Sequence, residues 1–533
     1  MRAMKTRKLI AVLAIAGASV LVPFIGPSTA TADVAWTGTW AASPQSSGTT
    51  FNNQTLRQIV RTSIGGTAAR LRLSNVFGTQ PVTITNVHLA KRTSGSSIDP
   101  ASDRAVTFGG SASVTIPVGG SATSDAAPFT VDALADVAVS FHLPQPTGNA
   151  TVHDFGGQTN YVVPGNAAGN ATLSGAQTRT NYFFLTNLDV QNTAATGAVA
   201  TLGASITDGI GSGTDANRRW PNDLAVRLAQ SGRTIGVLNQ GISGNRLLAD
   251  GAGQSAANRF DRDVLSQAGV KWVIFSDDPI NDLGSNRTNP PTGQQLIDAV
   301  KPLIARAHTA GVKFLCSTLT PFQGSGGWSA AAETSRGAYN AFVRSASSGC
   351  DGVIDQDNAT HDPARPTWFL PNLDTGDHLH PNEAGLQAIA NAVNLSLFGS
   401  TTTPPPTTVV TFRARANGKL VTAENGGNAA LIANRTAVGP WEQFDRIDLG
   451  GGRVALKAHA NGRYVTAPSG SPLIASSTTI GTAETFDLVR NADGSASLRA
   501  VANGRYVCAE NAGAAALIAN RTAIGPWESF DLL

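Results

Sequence analysis

The chain shows three successive patterns of hydrophobic and polar positions over its 533 residues. From about 34 to 197, apolar and polar residues alternate in short runs broken by Gly, Pro and Asn, as in Ala69-Arg70-Leu71-Arg72-Leu73. A period of two is typical of half-buried β-strands. We therefore predict that residues 33–197 form a β-sandwich of the jelly-roll kind, the first part of a multidomain protein.

The pattern changes at residue 198, where apolar strands begin to alternate with helical periods. The predicted strands are 198–202, 234–238, 272–275, 312–315 and 352–354. The predicted helices are 221–230, 293–310, 329–347 and 382–397, with Asn382 as the N-cap of the last one. Repeated strand-helix units predict a parallel sheet with helices on both faces, so we expect a three-layer α/β/α domain over 198–398.

The C-terminal part of the chain repeats itself after a linker. Residues 399–408 read GSTTTPPPTT, which cannot build a core and predicts an extended linker. Beyond it, Asn-Gly turns at Asn417, Asn461 and Asn503 recur at steps of 44 and 42 residues. Three repeats with hairpin turns and no helical period predict a β-trefoil over 409–533, similar to the fascin-like trefoils.

The first 32 residues have the pattern of a secretory signal peptide. Four basic residues precede the apolar run 9–26, and Ala30-Thr31-Ala32 supplies small residues at a cleavage position. The alternative is a retained membrane anchor, which such a small-residue end does not favour. We expect a secreted protein starting at Asp33 and free of the membrane after cleavage.

Removal of this segment changes the net charge of the protein. The formal charge of +3 falls by four, to −1, because the segment contains four basic residues and no acid. A near-neutral chain with 14% charged residues has no electrostatic footprint for nucleic acid or anionic lipid. We expect neither as a partner, and we expect a monomer.

The chain has three cysteines, and export would permit a disulfide. Cys316 and Cys350 fall in the same predicted domain and are candidates for a bridge. Cys508 takes the place of Thr422 and Thr466 in the other repeats, which predicts a small buried side chain. The sequence has no ligand cluster at short spacing, so we expect no metal and no other cofactor.

Three polar segments follow predicted strands, and a fourth precedes the last predicted helix. Ser205 stands in Gly203-Ala204-Ser205, where a parallel strand ends, and Asp377 precedes His380 by three residues. A serine at this edge can serve as a nucleophile, and an Asp can fix the tautomer of a nearby His base. Taken singly, a serine in such a segment is more often only a turn residue. An Asp three residues before a His more often forms only a hydrogen bond within a loop. His378 lacks an Asp three residues before it and is the less favoured base.

Two further segments could supply donors to an oxyanion. Gly244 follows the second predicted strand and Asn281 the third. The backbone N–H groups of Ser205 and Gly244 and the side-chain amide of Asn281 could together bind a developing negative charge. Each of these two residues alone is more often a turn glycine or a loop cap.

The four segments together resemble the SGNH (GDSL-like) hydrolases, whose signature is Ser, Gly, Asn and His in four blocks. The resemblance implies Ser205 as nucleophile and oxyanion donor, Gly244 and Asn281 as further donors, His380 as base and Asp377 as its orienting acid. Two positions differ, since Ala204 stands where the family has Asp and Pro279 where it has Gly. We expect Asp277 or Asp278 to supply the missing carboxylate.

The expected function is a secreted serine carboxylester hydrolase that forms an acyl-enzyme. The segment 33–197 also looks like the β-domain of two-domain bacterial aryl or carbohydrate esterases. We expect small acyl esters, including acetylated polysaccharide, as substrates, because a β-domain and a trefoil are common companions of domains that act on carbohydrate. The alternatives are a lipase or lysophospholipase-like esterase, or a catalytically degenerate carbohydrate-binding protein. Trp441 and Trp527 recur in two repeats and either bind sugar or pack between repeats.

Overall fold

The computed structural model describes residues 35–399, 407–450, 452–478, 480–491 and 493–533. The predicted signal peptide 1–32 and most of the predicted linker 399–408 lie outside the described residues. In the part that is described, no helix is both long and apolar enough to cross a membrane.

The N-terminal β region, residues 35–196, contains a four-stranded and an eight-stranded antiparallel sheet and a smaller three-stranded one. Leu71 and Leu188 of the first sheet share one buried cluster with Leu56 and Val139 of the second. The alternation in the sequence follows this arrangement, because successive residues of a strand point to opposite faces. The strands are Trp36–Ala41, Gln45–Ser46, Gln54–Arg61, Ala68–Ser74, Val82–Ser94, Ser97–Ile98, Arg104–Val106, Ser113–Ile116, Ser121–Thr123, Asp136–Leu143, Thr151–His153, Asn160–Pro164, Gln177–Arg179, Tyr182–Phe183 and Leu185–Gln191.

The central domain, residues 197–399, has a five-stranded parallel sheet. In chain order its strands are Gly197–Gly203, Ile235–Gly241, Val270–Phe275, Lys313–Ser317 and Gly352–Ile354. In space the first strand lies between the second and the third, and the fourth and fifth follow. The second strand thus lies on one side of the first strand, and the third strand lies on its other side. Open parallel sheets form a ligand crevice at such a reversal of strand order, beyond the carboxyl ends of the strands.

Helices cover both faces of this sheet. Val300 of one helix packs in a cluster with Phe275, while Leu224 of another packs with the adjacent strand residue Ile274 in a separate cluster. The predicted last helix ends early, at Ala392, because Val393 and Asn394 are extended. The helices are Ser205–Asp208, Trp220–Gln230, Ala256–Phe260, Asp278–Gly284, Gly293–Thr309, Ala330–Arg344, Gln356–Thr360 and Glu383–Ala392, with a π-helical turn at Asp261–Leu265, 3-10 turns at Pro371–Leu373 and Leu395–Phe398, and a hairpin of His361–Asp362 with Arg365–Phe369.

The C-terminal β region, residues 407–533, places a glutamate against the same strand position in each of its three repeats. Glu442 accepts from the Thr422 hydroxyl at 3.0 Å and Glu484 from the Thr466 hydroxyl at 2.9 Å, and Cys508 contacts Glu528 in the third repeat. The free Cys508 is buried, and burial together with Glu528 raises the pKa of its thiol. The strands are Thr407–Val410, Phe412–Ala414, Leu420–Ala423, Leu431–Arg435, Phe444–Gly450, Arg453–Ala458, Tyr464–Thr466, Ile474–Ser477, Phe486–Arg490, Ala496–Ala500, Arg505–Ala509, Leu517–Arg521 and Phe530–Leu532.

Candidate active site

Ser205, His380 and Asp377 form one hydrogen-bonded chain. His380 Nε2 lies 2.9 Å from Ser205 Oγ, and His380 Nδ1 lies 2.6 Å from Asp377 Oδ2. Ser205 is the first residue of a short helix directly after the first parallel strand, and it is 6% exposed. The sheet edge thus holds the hydroxyl against an imidazole that comes from 175 residues further along the chain.

The segment 375–380 folds into a tight turn around the carboxylate of Asp377. Its Oδ1 accepts the backbone N–H groups of Leu379 and His380 at 2.9 and 2.8 Å and the Thr375 hydroxyl at 3.0 Å. Partial burial opposes ionisation of Asp377, but the hydrogen bonds from His380 and Leu379 lower its pKa to about 2. An ionised Asp377 keeps the proton of the neutral imidazole on Nδ1, so Nε2 can accept the Ser205 proton.

The segments of Gly244 and Asn281 contact each other and the helix of Ser205. Asn281 Nδ2 donates to the carbonyl of Asn245 at 2.9 Å, and Ser243 donates to Asp208 through its N–H at 2.8 Å and its hydroxyl at 2.7 Å. Gly244, with a φ of +79°, lies in the turn between these two contacts. The structure therefore brings together all four segments that carry the predicted site residues.

The carboxylate that the sequence lacks at Ala204 comes from Asp277. Asp277 accepts the N–H of Ile206 at 2.8 Å and the hydroxyl of Thr207 at 2.5 Å. Asp278 points elsewhere, 3.4 Å from the buried Arg259, and burial raises its pKa to about 7. Of the two candidates, only Asp277 contacts the turn after Ser205.

His378 also has an acidic partner, which the sequence interpretation missed. Its Nδ1 lies 2.6 Å from Asp374 Oδ2, and its ring forms an edge-to-face pair with the Trp368 ring, with the centroids 5.3 Å apart. The Asp stands four residues before this His instead of three. The contact with Ser205, and not the presence of an Asp, distinguishes His380 from His378.

Arg259 is a further residue of the site that the sequence did not indicate. It is fully buried and donates to the carbonyls of Gly203 at 3.0 Å and Gln240 at 2.6 Å and to Asn245 Oδ1 at 3.0 Å. Ser255 caps its short helix and could have indicated that helix. No local pattern shows that a charged side chain there contacts the ends of two strands and the turn at Asn245.

The structure joins Cys316 and Cys350 in a disulfide with a Cα–Cα distance of 5.8 Å. Cys316 lies on the fourth parallel strand and Cys350 just before the fifth. Among the described residues, no group of three or more His, Cys, Asp or Glu side chains is arranged to hold a metal ion.

Residues 201–388 match the GDSL-like Lipase/Acylhydrolase family. The chain is similar to a G-D-S-L family protein from Desulfitobacterium hafniense DCB-2, at 18% identity over 37% of this chain and 97% of that one, with a TM-score of 0.28. It is similar to the alpha/beta hydrolase LAE5 from the metagenome of Lake Arreo, at 22% identity over 39% of this chain and 98% of that one, with a TM-score of 0.30. The designed three-fold symmetric protein ThreeFoil is 25% identical over 24% of this chain and 97% of its own, with a TM-score of 0.22. No curated protein matches this chain.

The family match covers Ser205, Gly244, Asn281, Asp377 and His380. The chain is thus a hydrolase of ester bonds, and its central domain is a GDSL-like acylhydrolase domain.

Proposed function

We propose that this enzyme cleaves carboxylic esters through an acyl-enzyme on Ser205. The observation that carries the proposal is the continuous chain from Asp377 through His380 to Ser205 Oγ. We assign Ser205 as nucleophile, His380 as general base and then acid, and Asp377 as the group that orients and stabilises the imidazolium.

His380 transfers one proton in each half of the reaction. Ser205 Oγ attacks the ester carbonyl while Nε2 takes its proton, and the tetrahedral oxyanion is bound by the N–H groups of Ser205 and Gly244 and the amide of Asn281. The intermediate collapses, Nε2 protonates the departing alcohol, and the acyl group stays on Ser205. Water then attacks the acyl carbonyl while Nε2 takes one of its protons. The second tetrahedral intermediate collapses, the bond from Ser205 Oγ to the acyl group breaks, the acid is released, and Nε2 gives its proton to Ser205 Oγ.

The proposed substrates are small acyl esters, including acetyl groups on polysaccharide, and the proposed ligand of the C-terminal β region is carbohydrate. Trp441 and Trp527 support the latter, because both are more than a third exposed at equivalent places in the first and third repeats. An exposed indole offers a flat apolar surface of the kind that sugar rings pack against. The middle repeat has Ala483 in that position, so two of three repeats are expected to bind.

We further propose the domain organisation that accompanies this function. It comprises a signal peptide at 1–32, a β-sandwich at 33–197, the hydrolase domain at 198–398, a linker at 399–408 and a β-trefoil at 409–533, in a secreted monomer. The trefoil is supported by backbone hydrogen bonds of 2.8 Å from Leu431 to Leu473 and from Leu473 to Leu517, which connect equivalent positions of the three repeats. Secretion is supported by the Cys316–Cys350 disulfide, since such bonds persist in oxidising compartments.

The test compares Ser205→Ala and His380→Ala with His378→Ala as the matched control. The first two variants should lose hydrolysis of 4-nitrophenyl acetate by a factor of 10³ or more, whereas His378→Ala should retain most of it. Circular dichroism checks folding, and a panel from acetate to palmitate esters beside acetylated xylan defines the acyl preference. Wild-type activity in a folded Ser205→Ala variant would rule out the mechanism.

A further inference from the structure

A histidine of the N-terminal β region lies against the helix that carries Ser205. His153, the last residue of the strand Thr151–His153, is 4% exposed, and Asp208, the last residue of the helix Ser205–Asp208, is 1% exposed. His153 Nε2 lies 3.1 Å from Asp208 Oδ1. The other ring nitrogen, Nδ1, lies 3.0 Å from the carbonyl oxygen of Ser43. This buried contact joins the β region to the proposed nucleophile segment.

Both ring nitrogens of His153 face oxygen atoms. The Ser43 carbonyl can only accept, so Nδ1 carries a proton in its contact with that oxygen. Nε2 faces Asp208 Oδ1, a buried carboxylate oxygen that has no hydrogen bond within the described part of the chain. The imidazole therefore packs directly against the carboxylate, and its removal would leave that oxygen without a polar neighbour at this position.

Asp208 transmits this contact to the turn that carries Gly244. Its second oxygen, Oδ2, accepts both the N–H and the hydroxyl of Ser243, the residue immediately before Gly244. The backbones are also close, since a Cβ on Gly241 would collide with the backbone of Asp208. The orientation of the Asp208 carboxylate therefore sets the position of the Gly244 N–H relative to Ser205.

Ser43 provides a second connection between the same two parts of the protein. Its hydroxyl donates to Gln240 Oε1 at 2.6 Å and accepts from Arg259 at 2.9 Å. Arg259 in turn holds the carbonyl of Gly203 and the side chain of Asn245. The backbone of Asn245 accepts the amide of Asn281. Each of the three proposed oxyanion donors is thus positioned by contacts that lead back to Ser43 or His153.

We propose that the N-terminal β region is part of the active site, with His153 as a positioning residue that acts through Asp208 on the oxyanion donor Gly244. This inference rests on the proposed acyl-enzyme function. Preorganised donors stabilise an oxyanion only when they are held within about 0.5 Å of the productive geometry. Loss of His153 should therefore weaken transition-state binding more than substrate binding.

The experiment compares His153→Phe with Thr159→Val in the full chain. Both substitutions remove a polar contact between the same two parts, since Phe keeps a ring without its nitrogens, but Thr159 contacts Asp215, at 2.6 Å, outside the site. For 4-nitrophenyl acetate, His153→Phe should lower kcat at least tenfold with KM changed less than threefold, whereas Thr159→Val should keep kcat within twofold. A wild-type kcat for a folded His153→Phe variant, or an equal loss in both variants, would overturn the inference.

Asp208→Asn gives a second test that remains available if His153→Phe does not fold. It should produce the same loss confined to kcat, and an unchanged kcat would overturn the inference. The double variant should be no slower than the slower single variant, because both changes break one contact. Additive losses would mean that His153 does not act through Asp208. Ser205→Ala separates the two proposals, since activity in that variant contradicts the acyl-enzyme itself.

Discussion

The carboxylate of Asp277 accepts the hydroxyl hydrogen of Thr207 at 2.5 Å, two residues after the proposed nucleophile. It also accepts the N–H of Ile206, so both oxygens hold the turn that presents Ser205. Ala204, fully buried beside Ser205, has no side-chain group for this task. A carboxylate that follows the third parallel strand thus takes the place of the one that the family has next to the serine.

Asp277→Ala should lower kcat for 4-nitrophenyl acetate about tenfold or more while changing KM little, since the loosened turn no longer holds Ser205 in its reactive geometry. Steady-state kinetics measure the effect. The exposed Asp261, which pairs with Arg306 on the surface, provides the control Asp261→Ala. A normal kcat in Asp277→Ala would show that the turn is stable without the carboxylate.

Asn281→Ala should reduce kcat about a hundredfold or more, because the amide serves an oxyanion that exists only in the transition state. The exposed loop residue Asn286 offers a matched substitution that should have no effect. A change limited to KM would instead make Asn281 a residue of ground-state binding.

Asp223 should make the protein less stable as the pH rises from about 4 to 6. Burial raises the pKa of Asp223 to about 6, and its Oδ2 has no hydrogen-bond partner among the described residues. In this range the folded protein keeps a proton that the unfolded chain has already lost, so the stability present at pH 4 is lost by pH 6 and above. Asp223→Asn lacks this effect.

Urea unfolding of the wild type and Asp223→Asn at pH 4.5 and 7.5 measures the difference. Between pH 4.5 and 7.5 the free energy of unfolding of the wild type should fall by about 2 kcal/mol relative to that of Asp223→Asn, because part of the effect of a shift of about two pKa units is already lost at pH 4.5. Parallel behaviour of the two proteins would contradict the raised pKa.

Replacing both Cys316 and Cys350 by Ser should destabilise the enzyme by about 3 to 4 kcal/mol, because the bridge closes a loop between residues 34 positions apart. Thermal unfolding with and without dithiothreitol tests this, since reductant should lower the midpoint of the wild type and not that of the variant. Mass spectrometry of the non-reduced protein should show these two thiols joined and Cys508 free.

A chain ending at Gly399 should fold and keep its kcat on soluble esters, with activity lost only on insoluble polysaccharide, where a tethered binding domain raises local concentration. The sequence predicted no interface across the linker. In the structure, however, Cα atoms of Trp220–Gln230 come within 8 Å of Phe444–Gly450. A modest fall in stability is therefore expected, whereas loss of soluble-ester activity in a folded protein would refute modularity.

Local patterns in the sequence were sufficient for much of the architecture. The five strands of the parallel sheet and the first three predicted helices begin and end within three residues of their predicted bounds, because hydrophobic period and capping depend on neighbours along the chain. The helix Gly293–Thr309 is an example, since Thr292 and Gln295 form its capping box and Gly311 adopts a φ of +72° after it. Asp377 and His380 likewise form a tight turn by themselves. The last predicted helix ends five residues early, and the short helices, such as Ala256–Phe260, were not predicted.

Only the tertiary structure decided which groups surround Ser205. His378 and His380 each have an Asp within four residues, and the contact with Ser205 selects between them. The roles of Asp277, Arg259 and His153 depend on which distant segments pack together. Burial and pairing of a charge are set by neighbours in space, and a sequence pattern records only neighbours along the chain.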